Sequence, residues 1–369
     1  MITQARPAYG PGKKIDWLFA GLALLLTVAG LLSLYSLDTS QNNWRFFPKQ
    51  AVFAVIGVGI LTTFTLVQPD FWKKKWGLLY FINLALLAFV LVIGKEQLGA
   101  QRWIDLGVVD LQPSELSKIF MAICLAAFFS DREEEVGQLK LFIKSFGLVL
   151  PVLVLLMLQP HLGATMSIIM IWLAIGLAAG IPWKFPLVSA LLIAATLVGA
   201  FFSPKLPEQL EYMRGRVIAK MEPDPKGNAY QQIQAVTAIG SGQIMGAGLS
   251  RGEQKTKGFI PLQQNDFIFT VVGEEGGFLG SVLLLGVFVT FLLRGWWTGI
   301  KSKSLYGRLL VTGLVTVLSF HLIVNVGMNI GISPVVGLWL PFMSYGGTAL
   351  WMCLSSVGLI LSIYRFDTD

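Results

Sequence analysis

The sequence predicts an all-α, polytopic membrane protein with ten transmembrane helices. Only 13% of its 369 residues are charged, about half the share that is usual in soluble domains. Apolar residues make up 54% of the chain. They recur along its whole length in runs of about 20 residues, the length that crosses a bilayer as a helix.

The ten predicted helices follow these apolar runs and form a single integral membrane domain over residues 1–369. The fifth is short and meets the sixth through "QPH" (159–161), where Pro160 predicts a tight turn. Both cysteines lie inside apolar runs, which predicts free thiols in the core. The helices are predicted at 16–37, 47–67, 77–93, 113–129, 145–159, 162–180, 187–203, 267–293, 309–330 and 342–363.

Lysine and arginine residues in the short loops predict the orientation of the chain. The termini and alternate loops hold fifteen of them, whereas the remaining short loops hold four, namely Arg45, Lys49, Lys95 and Arg102. Because the more basic side faces the cytoplasm, both termini are predicted to be cytoplasmic. The net charge of +7 is spread over these loops, which favours anionic lipid head groups over nucleic acid as its partner.

Residues 204–265 are predicted to form one large extracellular loop between the seventh and eighth helices. The loop is longer than an ordinary connection, and it contains a helix-like stretch, "AYQQIQAVTAIGSG". Long ordered loops on rigid scaffolds often carry function. We therefore expect an ordered loop, with a flexible tether as the alternative.

Ionisable residues inside predicted helices are functional candidates, because charges are costly in a bilayer. Asp266 begins the eighth helix, and Glu115 and Lys118 begin the fourth, three residues apart and able to pair on one face. Asn325 and Asn329 lie toward the outer end of the ninth helix, with His321 about one turn deeper. This one-sided placement favours an enzyme at the outer face over a transporter, which needs a site reachable from both faces.

Each candidate also has a structural interpretation that the sequence leaves open. Glu115 and Lys118 can be a buried pair that fixes helix register. Asp266 can be a helix N-cap, and His321 can be a hydrogen-bonded core residue.

Two further acids follow Asp266 in "NDFIFTVVGEEGG". Glu274 and Glu275 lie about 12 Å further along a continuous helix and on different faces from Asp266. They are therefore not expected to form a catalytic carboxylate pair with it, and we expect both to be structural.

Four stretches of the sequence carry a resemblance to a known family. They are "GAQRWIDLGVVDLQPSELSK" (99–118), "AIGSG" (238–242), "NDFIFTVVGEEGGFLG" (265–280) and "HLIVNVGMNIGISPVVGLWLPFMSYGG" (321–347). Together they resemble the SEDS family, the shape, elongation, division and sporulation proteins of bacteria. The resemblance covers nearly the whole chain, and "NVGM" followed by "PVVG" is more similar to the elongation members than to the division members.

The resemblance implies a peptidoglycan glycosyltransferase acting in cell elongation and cell-shape maintenance. Such an enzyme polymerises lipid II, a disaccharide-peptide on undecaprenyl pyrophosphate, at the outer face of the bacterial cytoplasmic membrane. A class B penicillin-binding protein transpeptidase is the implied partner. The family's essential aspartate falls on Asp266, its Glu and Lys fall on Glu115 and Lys118, and its "RW" pair falls on Arg102 and Trp103.

The chain departs from the family pattern in its loops. Leu262 and Gln264 replace a glutamate and a histidine that usually precede the aspartate, so neither of those groups is essential to the chemistry here. His161 stands where an acid is common, and "EPDP" (222–225) is a shortened extracellular motif.

These assignments predict a single displacement with inversion at the anomeric carbon, in which Asp266 is the general base for the attacking 4-hydroxyl. The pyrophosphate leaving group needs positive charge, and Glu115 is expected to orient Lys118. A divalent cation, Mg²⁺ or Mn²⁺, could assist, but no cluster of ligands in the sequence indicates one. The candidate catalytic residues are Asp266, Glu115 and Lys118, and Lys118 is also a candidate to hold the pyrophosphate. The candidate substrate-binding residues are Arg102, Trp103, Arg214, Arg216, Asn325 and Ser344.

Two other functions stay open. A lipid II flippase needs polar residues that reach both faces of the membrane. A non-catalytic scaffold would only recruit the penicillin-binding protein, and the substitution Asp266→Asn would leave it unaffected.

Overall fold

The described part of the chain folds into a bundle of thirteen α-helices with one small sheet. The computed structural model describes residues 14–97, 100–105, 107, 109–135, 137–202 and 228–368. The helices are α1 (Trp17–Ser40), α2 (Phe47–Leu66), α3 (Pro69–Lys74), α4 (Trp76–Ile93), α5 (Pro113–Ser130), α6 (Leu139–Leu158), α7 (Leu162–Ala178), α8 (Lys184–Phe202), α9 (Asn228–Ser241), α10 (Glu253–Thr256), α11 (Ile268–Lys301), α12 (Leu305–Asn329) and α13 (Gly347–Asp367).

Every one of the ten predicted helices has a counterpart in the fold, with ends that differ by at most eight residues. Within the described part of the chain, eight helices are long and apolar enough to cross a membrane, namely α1, α2, α4, α5, α6, α11, α12 and α13. Helix α7 is apolar but shorter, at 17 residues. The chain is therefore an integral membrane protein.

Local chemistry explains where several helices begin. The side chain of Asp16 accepts a hydrogen bond from the amide of Phe19 at 3.2 Å and caps α1, and Ser304 caps α12 through Gly307 at 3.0 Å. Such caps satisfy amides that have no partner within the helix. Pro113 begins α5, a position where a missing N–H costs nothing.

Helices α5, α12 and α13 form the centre of the bundle, and their apolar stretches are mostly buried. Helix α12 packs against α5, α7, α11 and α13, while α13 packs along α2. At the periphery, the ring of Phe19 on α1 stacks on Phe291 of α11 with centroids 4.7 Å apart. Both cysteines, Cys124 and Cys353, are free and buried as predicted.

A three-stranded antiparallel sheet links α4 to α5, so the all-α prediction is wrong for this segment. Strands β1 (Lys95–Gln97), β2 (Ala100–Asp105) and β3 (Asp110–Leu111) pair in the order β1-β2-β3. These strands have two to six residues, too few for an alternating pattern to stand out in the sequence.

Helix α11 is broken at Gly277, so its prediction as one continuous helix is also wrong. The backbone there has φ 61° and ψ −158°. The loop after α9 pairs with the break: the amide of Ala247 donates to the carbonyl of Glu274 at 2.9 Å, and the amide of Phe278 donates to Gln243 at 2.8 Å. Loop backbone therefore replaces hydrogen bonds that a regular helix makes internally.

The long loop is partly described. Helix α9 confirms the helix-like stretch that the sequence indicated. The shortened "EPDP" motif at 222–225 lies outside the described residues.

Candidate active site

Asp266 lies in a turn just before α11, and its position is set through its backbone. The side-chain amide nitrogens of Asn325 and Asn329 donate to the carbonyl of Asp266 at 2.9 Å and 3.0 Å. The N-cap of α11 is Phe267, without a side-chain cap, so the N-cap interpretation of Asp266 is wrong. The half-buried Asp266 side chain therefore projects from a backbone that α12 holds in place.

The turn before α13 holds the same segment from the other side. The hydroxyl of Ser344 donates to the carbonyl of Asn265 at 2.6 Å, and the amide of Tyr345 donates to Gln264 at 2.8 Å. The side chain of Gln50, at the start of α2, bonds both the carbonyl of Ser344 and the amide of Gly346. Helix α12 and the turn before α13 thus hold the residues that precede α11, and α2 in turn holds that turn.

A polar cavity of about 270 Å³ adjoins Asp266. Asn265, the neighbour of Asp266, lines this cavity, whereas Asp266 itself does not belong to the lining. Trp103 lines it too, as a substrate-binding role requires. The remaining lining residues are Lys49, Phe53, Lys95, Asp105, Gly107, Val109, Asp110, Tyr345, Gly346 and Gly347.

The charges at this cavity come from residues that the sequence did not single out as a site. Lys95 pairs with Asp105 at 3.1 Å, and this contact raises the pKa of Lys95. The amide of Gly107 donates to Asp105 at 2.7 Å, and this bond and Lys95 together lower the pKa of the Asp105 carboxyl. Lys49 adds a second, exposed cation.

Burial raises the pKa of the Tyr345 hydroxyl in the same cavity. The hydroxyl therefore stays protonated at neutral pH and can donate a hydrogen bond.

A second polar cluster lies inside the bundle. The Lys118 ammonium donates to both oxygens of Glu115 at 2.8 Å, and both side chains are buried. It also lies 3.0 Å from Nε2 of His321 and 5.0 Å from the centre of the Trp339 ring. Pairing on one face was predicted from the spacing of Glu115 and Lys118, and it is confirmed.

The contacts of His321 define one tautomer of its ring. Nδ1 lies 3.3 Å from the carbonyl of Trp339, which can only accept a hydrogen bond, so Nδ1 carries the proton. Nε2 then accepts from the Lys118 ammonium. The Ser167 hydroxyl lies 3.2 Å from Nε2 and donates to the carbonyl of Gly163. His321 is thus a hydrogen-bonded core residue in this structure, the interpretation left open by the sequence.

One face of α12 connects the buried cluster to Asp266. His321, Asn325 and Asn329 are spaced by four residues and share that face. The first contacts Lys118 and the other two hold the backbone of Asp266. Asn325 and Ser344 are therefore engaged with the backbone near Asp266, and their predicted role in substrate binding stays a prediction.

Arg102 does not belong to the lining of the cavity. Its guanidinium donates to the carbonyls of Gln159 at 2.9 Å and of Pro160, and so it fastens the turn between α6 and α7 to β2. His161 caps α7 through the amide of Ala164 and contacts Gln112 at 2.8 Å. This histidine is buried.

Two predicted substrate-binding residues, Arg214 and Arg216, lie outside the described residues. Within the parts of the chain that are described, no group of three or more His, Cys, Asp or Glu side chains could hold a metal ion. Assistance by Mg²⁺ or Mn²⁺ stays a prediction.

Glu274 and Glu275 fasten the long loop, in line with the structural role expected for them. Glu274 accepts hydrogen bonds from the amides of Gln254 at 2.7 Å and of Lys255 at 3.3 Å, at the start of α10. Glu275 pairs with the ammonium of Lys255 and with the hydroxyl of Ser36 on α1. Burial lowers the pKa of Lys255 to about 8, and the charge of Glu274 opposes this shift.

Comparison with known proteins identifies the family. Residues 15–369 match the FtsW, RodA and SpoVE family, described as cell cycle proteins. The chain belongs to this family. The match covers the described structure from residue 15 onward and includes every residue of the candidate site.

Individual members of the FtsW, RodA and SpoVE family resemble the chain along its length. It is 31% identical to stage V sporulation protein E of Bacillus subtilis, over 95% of this chain and 97% of that protein. It is 32% identical to the peptidoglycan glycosyltransferase MrdB of Escherichia coli, over 96% of each.

Solved structures of family members share the fold. A chain of a peptidoglycan synthase complex, which coordinates polymerization and crosslinking, superposes with a TM-score of 0.81 at 28% identity, over 95% of this chain and 97% of that one. The rod shape determining protein RodA of Thermus thermophilus gives 0.71 at 26% identity, over 95% and 96%.

The sequence analysis singled out Asp266, the Glu115–Lys118 pair and Trp103, but it did not single out four charged residues of the cavity wall, namely Lys49, Lys95, Asp105 and Asp110. Lys49 and Lys95 had entered only as charges that set orientation. The sequence did set them apart, because both are among the four basic residues of the short loops that were predicted to face outward.

Proposed function

We propose that the protein is a peptidoglycan glycosyltransferase that polymerises lipid II during cell elongation and cell-shape maintenance. Asp266 is the general base of the proposed reaction. The observation that carries the proposal is the fixed backbone of Asp266 beside a polar cavity with two lysines and Trp103 in its wall. The glycosyltransferase named among its relatives supports the same reaction.

In the proposed step, the 4-hydroxyl oxygen of one sugar attacks the anomeric carbon of another. The Asp266 carboxylate takes the hydroxyl proton as the new C–O bond forms. The bond from the anomeric carbon to the pyrophosphate oxygen breaks, and its electron pair leaves on the undecaprenyl pyrophosphate. Attack from the face opposite the leaving group inverts the anomeric centre.

The leaving pyrophosphate gains negative charge, which fixed cations stabilise. Lys49 at the cavity wall is exposed, and Lys95 is paired with Asp105 but that ion pair is also exposed, so both lysines are placed for this role. Arg102, by contrast, already donates to two carbonyls, and Lys118 is buried against Glu115. We assign the first two lysines to pyrophosphate binding, and Arg102 and the Glu115–Lys118 pair to holding the site together.

The proposed topology has ten spans, with both termini in the cytoplasm and the cavity at the outer face of the cytoplasmic membrane. Fifteen basic residues against four in alternating short loops support this orientation. The sheet and the turn before α13 then lie outside, where lipid II is polymerised. A class B penicillin-binding protein is the proposed partner.

The decisive experiment measures glycan polymer made from fluorescent lipid II by the purified protein, with and without a class B penicillin-binding protein. Asp266→Asn keeps the shape of the side chain but removes the base, so we expect no polymer. Asp131→Asn is the matched control, because Asp131 forms an exposed pair with Lys73 and should leave activity unchanged.

Normal polymer from Asp266→Asn would reject the base assignment and favour a scaffold. Lipid II movement across vesicles by the wild type, without any polymer, would favour a flippase.

A further inference from the structure

An apolar groove separates α6 and α7 from α8, at the end of the bundle where α6 and α8 begin. Its volume is about 550 Å³, within the range of about 300–1,000 Å³ that is typical of small-molecule sites. Phe142 and Trp172 form its floor, and Ile143, Phe146 and Val188 form its sides. The lining is thus suited to a hydrocarbon chain.

The floor of the groove is held rigidly. The rings of Phe142 and Trp172 stack with centroids 4.5 Å apart. The indole nitrogen of Trp172 donates to the hydroxyl of Ser145 at 2.8 Å, and this hydroxyl donates to the carbonyl of Phe142 at 2.7 Å. These bonds oppose a collapse of the side chains into the groove, so the groove is preformed.

A positive charge lies at the mouth of the groove. Lys184, the first residue of α8, belongs to the lining. Among the residues that the structure describes, Lys184 has no salt-bridge partner, whereas nearby Lys144 pairs with Glu135 at 3.2 Å. Trp183, which precedes it, is 63% exposed, as is common for tryptophan at the level of lipid head groups.

We propose that this groove binds an anionic phospholipid of the surrounding membrane. One acyl chain lies along Phe142, Phe146 and Val188, and the phosphate pairs with Lys184. An apolar groove alone would accept any lipid, but a cation at its mouth selects a head group with net negative charge.

The lipid site is separate from the candidate active site. Helix α6 begins at the groove and ends 20 residues later, about 30 Å away. At that far end, Arg102 of the sheet holds the carbonyl of Gln159. The inference therefore does not depend on the proposed function.

Native mass spectrometry of the purified chain tests the proposal. The protein is equilibrated with an equal mixture of phosphatidylglycerol and phosphatidylcholine of the same acyl chains, and the retained lipid is identified. We expect preferential retention of phosphatidylglycerol. Lys184→Ala should lower this preference about fivefold, the effect of one basic residue at a membrane surface, and Lys184→Arg should preserve it.

Lys140→Ala is the matched control, since Lys140 is exposed on the first turn of α6 but does not line the groove. A preference that falls equally in Lys140→Ala and Lys184→Ala would overturn the proposal, as would equal retention of both lipids by the wild type.

Phosphatidylglycerol with a photoreactive acyl chain locates the site. Crosslinks at Phe146 or Val188 support the proposal. Crosslinks only elsewhere overturn it, and so does occupation of the groove by a second copy of the chain or by an isoprenoid pyrophosphate.

Discussion

The side-chain amide of Asn325 donates to the backbone carbonyl of Asp266 at 2.9 Å and, from the same nitrogen, to the carbonyl of Leu338 at 2.7 Å. One buried side chain thus ties the start of α11 to the segment that follows α12. The direction of the Asp266 carboxylate depends on this tie, although Asn325 need not touch the substrate.

Asn325→Ala should therefore reduce lipid II polymerisation about a hundredfold, because a displacement of about 1 Å at a catalytic group has an effect of that size. The turnover number should fall more than the Michaelis constant rises. The loss of a buried donor should cost about 1–3 kcal/mol of stability.

Asn83→Ala is the control, because Asn83 is equally buried but lies on α4. Equal loss of activity in the two variants would show that general destabilisation, and not the position of Asp266, is responsible.

Single and double variants of the Glu115–Lys118 pair can show whether the pair serves stability or catalysis. Lys118→Met leaves Glu115 buried without its partner and should destabilise the protein by about 3–5 kcal/mol. The double variant Glu115→Leu, Lys118→Met removes both charges and should recover most of that stability. Thermal unfolding in detergent measures both effects.

Polymerisation by the double variant then decides the role of the pair. We expect activity to return together with stability, because both groups are buried away from the cavity. A stable but inactive double variant would instead assign the pair to the chemistry.

Alanine substitutions at Gly277 and at nearby Gly280 are expected to have opposite effects on stability. A Cβ at Gly277 would meet the backbone of Gly246 and Ile244, and its φ and ψ fall in a region that is nearly restricted to glycine. Gly277→Ala should therefore cost about 1–3 kcal/mol or more. At Gly280 a Cβ has no atom within 4 Å, so Gly280→Ala should stabilise the helix by about 0.5–1 kcal/mol.

Both changes are measured as shifts in thermal unfolding of the purified protein. Equal shifts in the same direction would contradict the assignment of the helix break to Gly277.

Lys255 predicts a pH dependence of stability. Its pKa is lowered to about 8 in the folded protein, below the unfolded value of about 10.4. Between these values the unfolded chain binds more protons, so the contribution of Lys255 to stability rises with pH from about 8 to about 10.4. Below pH 8 this contribution is constant, because both states are protonated.

The measurement compares the melting temperatures of the wild type and Lys255→Met across this range. The melting temperature of the wild type should rise relative to that of Lys255→Met as the pH rises. Lys257→Met is the control, because Lys257 is exposed and pairs with Glu253. A flat difference for Lys255→Met, or the same slope in both variants, would contradict the burial of the Lys255 charge.

Local patterns in the sequence predicted the helices and one polar pair. Apolar runs located all ten predicted helices, and the spacing of Glu115 and Lys118 predicted their contact, because both features depend on residues close in the chain. The cavity depends instead on residues far apart, such as Lys49, Trp103 and Asn265, which only the packing of α2, the sheet and the turn before α13 brings together.

The break in α11 shows a different limit. Apolar residues continue on both sides of Gly277, so the pattern indicates one helix. The backbone of residues 243–247 supplies hydrogen bonds that replace those lost at the break. This pairing is between segments distant in the chain, so the local sequence pattern does not indicate it. The role of Arg102 was missed for the same reason, since its partners are carbonyls 57 and 58 positions away.

The pairing of the long loop with α11 has a consequence for protein engineering. Residues 242–256 supply amides to Glu274, carbonyls to Phe278 and Leu279, and the Lys255 ammonium to Glu275. Gly246, at φ 80°, lies against Glu275 without room for a side chain. In chimeras between family members, the loop and the first half of α11 should therefore be exchanged as one cassette, because a graft of either alone would mismatch the other.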